Sequence, residues 1–126
     1  MIGNEDGLRS IFGHAEGLAV QKSRDSLDKY SRQFMAMSPF LVISTANAQG
    51  KADVSPRGDP PGFVHAVDDR TILIPDRPGN NRLDTMVNIV ENPNVACLFF
   101  IPGFEDTMRV AGKARITDDA ALLKHC

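Results

Sequence analysis

Phe40-Leu-Val-Ile-Ser-Thr-Ala46 is an apolar, β-branched run; Asn47-Ala-Gln-Gly50 after it carries turn residues, and Lys51 to Ser55 resumes in extended form. Together they read as a β-hairpin, and the pattern recurs. A Pro/Gly-rich loop, Pro56-Arg-Gly-Asp-Pro-Pro-Gly62, leads into Phe63–Val67, and Asp68-Asp69 turns the chain into Thr71–Pro75, a second hairpin. Val95–Ile101 and Met108–Ile116, joined around Pro102-Gly103, form a third. Asn94 through Ile101 is nearly all apolar, which predicts burial on both faces. In the last strand Met108, Val110, Ala114 and Ile116 alternate with Arg109, Lys113 and Arg115, so one of its faces is wet.

Helical periodicity appears on either side of these hairpins. Leu83, Met86, Val87 and Val90 fall at i, i+3, i+4 and i+7 after the loop Asp76-Arg-Pro-Gly-Asn-Asn81, with Asn80 or Asn81 as cap and Asn92-Pro93 as stop. The first forty residues are polar and helical in pattern, with Leu27, Tyr30, Phe34 and Met37 on one face, Ser23 or Asp25 as cap, and Ser38-Pro39 as terminator. Gly7 to Gly17 reads as a shorter helix. Thr117-Asp-Asp-Ala-Ala-Leu-Leu-Lys-His-Cys126 opens like a helix and stops after about two turns without a stop signal.

Six strands in hairpin order with one inserted helix predict a mainly β protein with helices, a six-stranded antiparallel barrel, because closure removes exposed sheet edges. An open α+β sheet is the alternative. A chain of 126 residues is expected to form a single domain over 1–126, with 1–38 as a helical N-terminal segment. Hydrophobic residues at 42% and charged residues at 24% are globular rather than disordered composition. The net charge of −2 gives no electrostatic reason to expect nucleic acid or an anionic membrane as partner. No apolar run is long enough for a membrane span, and Met1-Ile-Gly-Asn-Glu-Asp6 lacks the basic and apolar regions of a signal peptide, so a cytoplasmic location is expected. Cys97 and Cys126 make no CxxC and sit near no His pair, so neither zinc nor a disulfide is expected.

Two segments carry chemistry. Arg77, Asn80, Asn81 and Arg82 gather at a helix N-terminus, where free N–H groups, the helix dipole and two guanidinium groups favour a phosphate; the alternative is a solvated turn with ordinary caps. Asp53-Val-Ser-Pro-Arg-Gly-Asp59 ends a strand in a hydroxyl, two backbone carbonyls and a cation, a set suited to a polar ligand edge; the alternative is a loop with an Arg–Asp surface pair. His14, His65 and His125 have no metal-ligand spacing, and Cys97 reads as a core thiol. Without an evident nucleophile, base and orienter, chemistry would be borrowed from a cofactor.

Ser38-Pro-Phe-Leu-Val-Ile-Ser-Thr45, Asp53-Val-Ser-Pro-Arg-Gly-Asp-Pro-Pro-Gly-Phe63, Ile74-Pro-Asp-Arg-Pro-Gly-Asn-Asn-Arg-Leu-Asp84, Glu91-Asn-Pro93 and Met108-Arg-Val-Ala-Gly112 occur in this order. Over residues 20–123 the chain resembles the pyridoxamine 5′-phosphate oxidase-like, FMN-binding split-barrel proteins. The resemblance implies a homodimer with two FMN sites at the subunit interface. It implies that Val54, Ser55, Pro56 and Arg57 flank the flavin, that Ile74 and Pro75 line its ring or ribityl chain, and that Arg77, Asn81 and Arg82 hold its phosphate. Thr107 stands where many relatives place a glutamine reaching the flavin from the partner chain. True pyridoxamine phosphate oxidases use further substrate-phosphate ligands and a C-terminal Arg/His segment; this chain ends before one, and before the helix and strand with which relatives complete the barrel, so vitamin B6 activity is not expected. The implied function is a flavin-dependent oxidoreductase acting on an unknown small molecule, with no catalytic side chain and no metal. The alternatives are a non-catalytic flavin store or sensor, or a relative binding haem or a deazaflavin.

Overall fold

The protein is described by a computed structural model over residues 17–75 and 82–117, without the side chain of Arg82. Its elements are β1 (Gly17–Lys22), α1 (Lys29–Met37), β2 (Phe40–Ala46), β3 (Ala52–Gly58), β4 (His65–Ala66), β5 (Thr71–Pro75), α2 (Arg82–Glu91), β6 (Asn94–Phe100) and β7 (Met108–Thr117). The strands form one antiparallel sheet in the order β3-β2-β6-β7-β1-β5-β4. All three expected hairpins are present, as β2–β3, β4–β5 and β6–β7.

The sheet has seven strands rather than the expected six. The additional one is β1, in a region expected to be helical, and it lies between β7 and β5, where it joins the third hairpin to the second. Leu18 and Val20 are fully buried on its inner face, opposite Ile74 and Ile72. In compensation the fourth strand shrinks from the expected Phe63–Val67 to two residues, since Phe63 and Val64 leave the ladder to enter the core. At the β4–β5 turn, Asp68 Oδ1 accepts from the Arg70 and Thr71 amides, each at 2.8 Å, which holds its carboxyl below the usual range.

Strand register decides what faces inward. Ser55, Ile43, Cys97 and Val110 form one row across β3, β2, β6 and β7, and Arg57, Leu41, Phe99 and Met108 form the next. Ile43, Cys97, Phe99, Val110, Leu18, Val20, Ile72 and Ile74 belong to one cluster, so the sheet curls round a shared interior. β6 corrects the expectation of burial on both faces: Val95, Cys97 and Phe99 are buried, whereas Ala96, Leu98 and Phe100 are half-buried. The last strand has the expected wet face, with Arg109, Lys113 and Arg115 exposed.

Both helices are rotated from the expected facing. In α1, Phe34 and Met35 point inward while Tyr30 and Met37 are exposed. Its cap is Asp28 rather than Ser23 or Asp25: Asp28 Oδ1 accepts from the Ser31 amide at 2.7 Å, lowering the Asp28 pKa. In α2, Thr85, Met86 and Ile89 are buried and Val90 is exposed. The expected caps Asn80 and Asn81, the Gly7 to Gly17 helix and the helix after Thr117 lie outside the described residues.

Ser38 terminates α1 as expected and is itself 1% exposed. Its Oγ donates to the Phe100 carbonyl at 2.6 Å, fastening the start of β2 to the end of β6. Ser38→Ala strands that buried acceptor and is expected to lower stability by about 1–3 kcal/mol in urea denaturation. An unchanged midpoint would show that the bond is dispensable.

Candidate functional site

β3 is an edge strand, so one side of its backbone has no ladder partner among the described residues. That position tolerates Pro56, which lacks an N–H, and leaves other peptide groups available to a ligand. Side chains alternate along it. Val54 and Pro56 project outward, with Val54 56% exposed, whereas Ser55 and Arg57 share the inner face with Ile43 and Leu41. Ser55 is 1% exposed and its Oγ has no hydrogen-bond partner among the described residues. Arg57 buries Nε and Nη2 beside it.

The Arg57 charge reaches Cys97 in the neighbouring row. Burial pushes the Cys97 thiol from 9.0 up to about 12, and Arg57 opposes that rise. Because the folded value lies above the unfolded one, the associated stability is complete below pH 9.0 and is lost as pH climbs toward about 12. Iodoacetamide at pH 8 is therefore expected to spare Cys97 in folded protein and label it in urea. Equal labelling in both states would contradict a core thiol.

α2 is fastened over the β2–β3 hairpin at two points. Asn88 Nδ2 donates to Thr45 Oγ1 at 3.0 Å, and the Ala48 amide donates to Glu91 Oε1 at 3.0 Å. Between helix and hairpin lies an open cavity of about 350 Å³ with Asn47, Lys51, Asp53, Asp84 and Asn88 in its walls. Segments separated by some thirty residues in sequence thus meet: the start of β3 and the N-terminal half of α2. Asp53 and Asp84 oppose an anion inside the cavity itself, with Lys51 as partial offset. The favourable place for a phosphate is the first turn of α2, where the helix dipole and the N-terminal N–H groups act and which Arg82 opens.

The remaining sequence candidates are dispersed around this frame. Ile74 is 1% exposed, and its side chain belongs to the core. Pro75 is buried and borders a second cavity, together with Phe63 and His65. Thr107 is exposed immediately before β7, whose first residue pairs with Phe99. Arg77 and Asn81 lie outside the described residues. No cluster of three potential metal ligands occurs among the described residues, and His14 and His125 fall outside them. The cavity residues Asn47, Asp84 and Asn88 escaped sequence reading because each looks like an ordinary turn or helix-surface residue.

Taken as a donor set, a strand edge and a buried hydroxyl that have no partner among the described residues, a buried guanidinium and a helix N-terminus fit a ligand with a polar heteroaromatic edge and a phosphate.

Residues 27–126 match the family model described as pyridoxamine 5′-phosphate oxidase. A 1.98 Å crystal structure of a tagged histidine-to-alanine variant of HupZ from Group A Streptococcus superposes with a TM-score of 0.60. That alignment covers 79% of this chain and 77% of HupZ at 18% identity, a likeness of fold. No curated protein matches the chain.

Proposed function

We infer function from one premise: the chain belongs to the pyridoxamine 5′-phosphate oxidase family. The family's split barrel supports binding of a flavin or a haem. Of these, FMN suits the donor set best. The reading is that Arg77, Asn81 and Arg82 hold the phosphate at the start of α2. The backbone of Val54 and Pro56, the Ser55 hydroxyl and Arg57 address the polar edge of the ring, and Pro75 lies beside it. The carrying observation is the buried Ser55 Oγ, which lacks a partner among the described residues and lies on an edge strand whose first residues, Ala52 and Asp53, line one cavity with Asp84 of the first turn of α2.

A bound FMN supplies hydride or electron transfer. The chain binds and orients it, and the described residues present no nucleophile–base pair that would add acid–base chemistry of their own. An oxidoreductase acting on a small molecule is the leading reading; the same lack of a base favours a flavin store or sensor as second. The outer face of β3, β2 and β6 displays Val54, Phe40 and Phe100, the last two rings 5.8 Å apart. That apolar face fits a second copy of the chain, and a homodimer brings Thr107 toward the partner's flavin. No described helix is long and apolar enough to cross a membrane; a cytoplasmic location belongs to the proposal.

Arg77→Ala and Arg82→Ala are each expected to weaken FMN binding by about 1.5–3 kcal/mol, the range for hydrogen bonds to a charged group. Titration of apoprotein with FMN, followed by flavin fluorescence, checks this. Wild-type affinity in both variants would refute the phosphate assignment, and a Soret band on adding haemin with no response to FMN would favour the haem reading.

A further inference from the structure

We propose that the outer surface of β7 docks an extended acidic peptide segment of a protein partner. Register places Arg109, Lys113 and Arg115 in one outward row, and all three are exposed. Successive outward positions of a strand stand about 6.7 Å apart, so Lys113 and Arg115 occupy neighbouring steps and Arg109 lies about 13 Å from Lys113, with Ala111 between them. Carboxylates on alternate residues of an extended peptide recur at the same step.

The charge on this face has one sign. When the pairing is followed through all seven strands, no outward position holds an aspartate or a glutamate. The net charge of −2 conceals that segregation, because the acids of the described residues lie in loops, on the helices and, as Asp53, on the inner side of β3. Glu105 and Asp106, in the loop before β7, form no ion pair with the row, and none of its three cations is ion-paired among the described residues. An acidic ligand therefore meets attraction without an opposing charge.

The neighbours of the row favour a peptide over a polynucleotide. Lys113 stands between Gln21 and Asn94, both exposed, whose amide side chains suit the N–H and C=O groups of an extended backbone. Arg115 adjoins Ala19, so no aromatic ring stands across from Lys113 or Arg115 on β1 or β6 for a base to stack on. Opposite Arg109 and Ala111, the half-buried Leu98 and Ala96 leave room for one aliphatic side chain. β7 is held by β6 on one side and by β1 on the other, so binding orders no backbone of its own. The proposal needs neither a bound flavin nor a second copy.

The probe is a synthetic peptide with glutamates at alternate positions, one leucine and one tryptophan, titrated into the full chain. The chain contains no tryptophan, so tryptophan fluorescence reports the peptide alone. Saturable binding is expected at low salt, and screening should weaken it several-fold at physiological ionic strength. The double variant Lys113→Glu, Arg115→Glu is expected to bind about tenfold more weakly, through loss of two exposed ion pairs and gain of like charges. Lys29→Glu, the same reversal on exposed α1, should stay close to wild type. Absence of binding by the wild-type chain, or wild-type affinity in the folded double variant, overturns the proposal. So does tighter binding of an oligothymidylate or of phosphatidylserine vesicles than of the peptide. If the double variant does not fold, Lys113→Gln and Arg115→Gln decide, each expected to weaken binding about threefold.

Discussion

Gly112→Val abolishes the native fold or lowers its melting temperature drastically. Gly112 pairs with Lys22 of β1 and Val95 of β6, and a Cβ at this position would collide with the Gln21 carbonyl oxygen. Backbone on backbone leaves no side chain to swing aside. β7 cannot retreat, because β6 holds its other edge, and β1 is held in turn by β5. Overpacking of a yielding core costs about 1–3 kcal/mol, and this unyielding contact should exceed that, a large part of a typical domain's 5–15 kcal/mol. Thermal unfolding by circular dichroism is the measurement, with Ala111→Ser as a neighbouring control. A Gly112→Val protein melting at the wild-type temperature would mean that β1 and β7 do not approach as described.

Arg57→Ala is expected to weaken FMN binding by about 3 kcal/mol, roughly two orders of magnitude in dissociation constant. The guanidinium buries Nε and Nη2 on the inner face of β3, two residues from the buried Ser55 hydroxyl, so its loss removes a cation where water does not easily substitute. Arg57→Lys should recover only part of the affinity, since an ammonium lacks the forked planar donors. Removal of Arg57 also takes away the charge that holds the Cys97 thiol down, so that thiol should rise further. Affinity and melting temperature need to be measured together. A large fall in stability with FMN affinity intact would make Arg57 a structural residue and nothing more.

How far the sequence could be read follows from how local each signal was. The hairpins were legible because turn residues and alternating apolar runs lie within a dozen residues of one another, and α2 was legible because its apolar spacing and the Asn92-Pro93 stop are local as well. β1 was not. Gly17-Leu-Ala-Val-Gln-Lys22 is too short to carry a pattern, and it is a strand because Ile72, Ile74 and β7, far along the chain, offer it partners. The facing of α1 depended on where the sheet lay, which put Met35 rather than Met37 inward. At the site, the motif in β3 and the helix α2 were visible as segments, and the meeting of Ala52 and Asp53 with Asp84 and Asn88 across one cavity was not, because the Asn88–Thr45 bond that fastens α2 to β2 is tertiary. The pocket built from Asp59, His65 and Pro75 was hidden for the same reason.

The most direct test of the central claim is titration of the purified chain with FMN, read by visible absorption and flavin fluorescence. A saturable spectral shift with fluorescence quenching at one FMN per chain is expected, weakened in Arg57→Ala and Arg82→Ala. A folded protein that leaves the FMN spectrum and fluorescence unchanged up to millimolar concentration would contradict it.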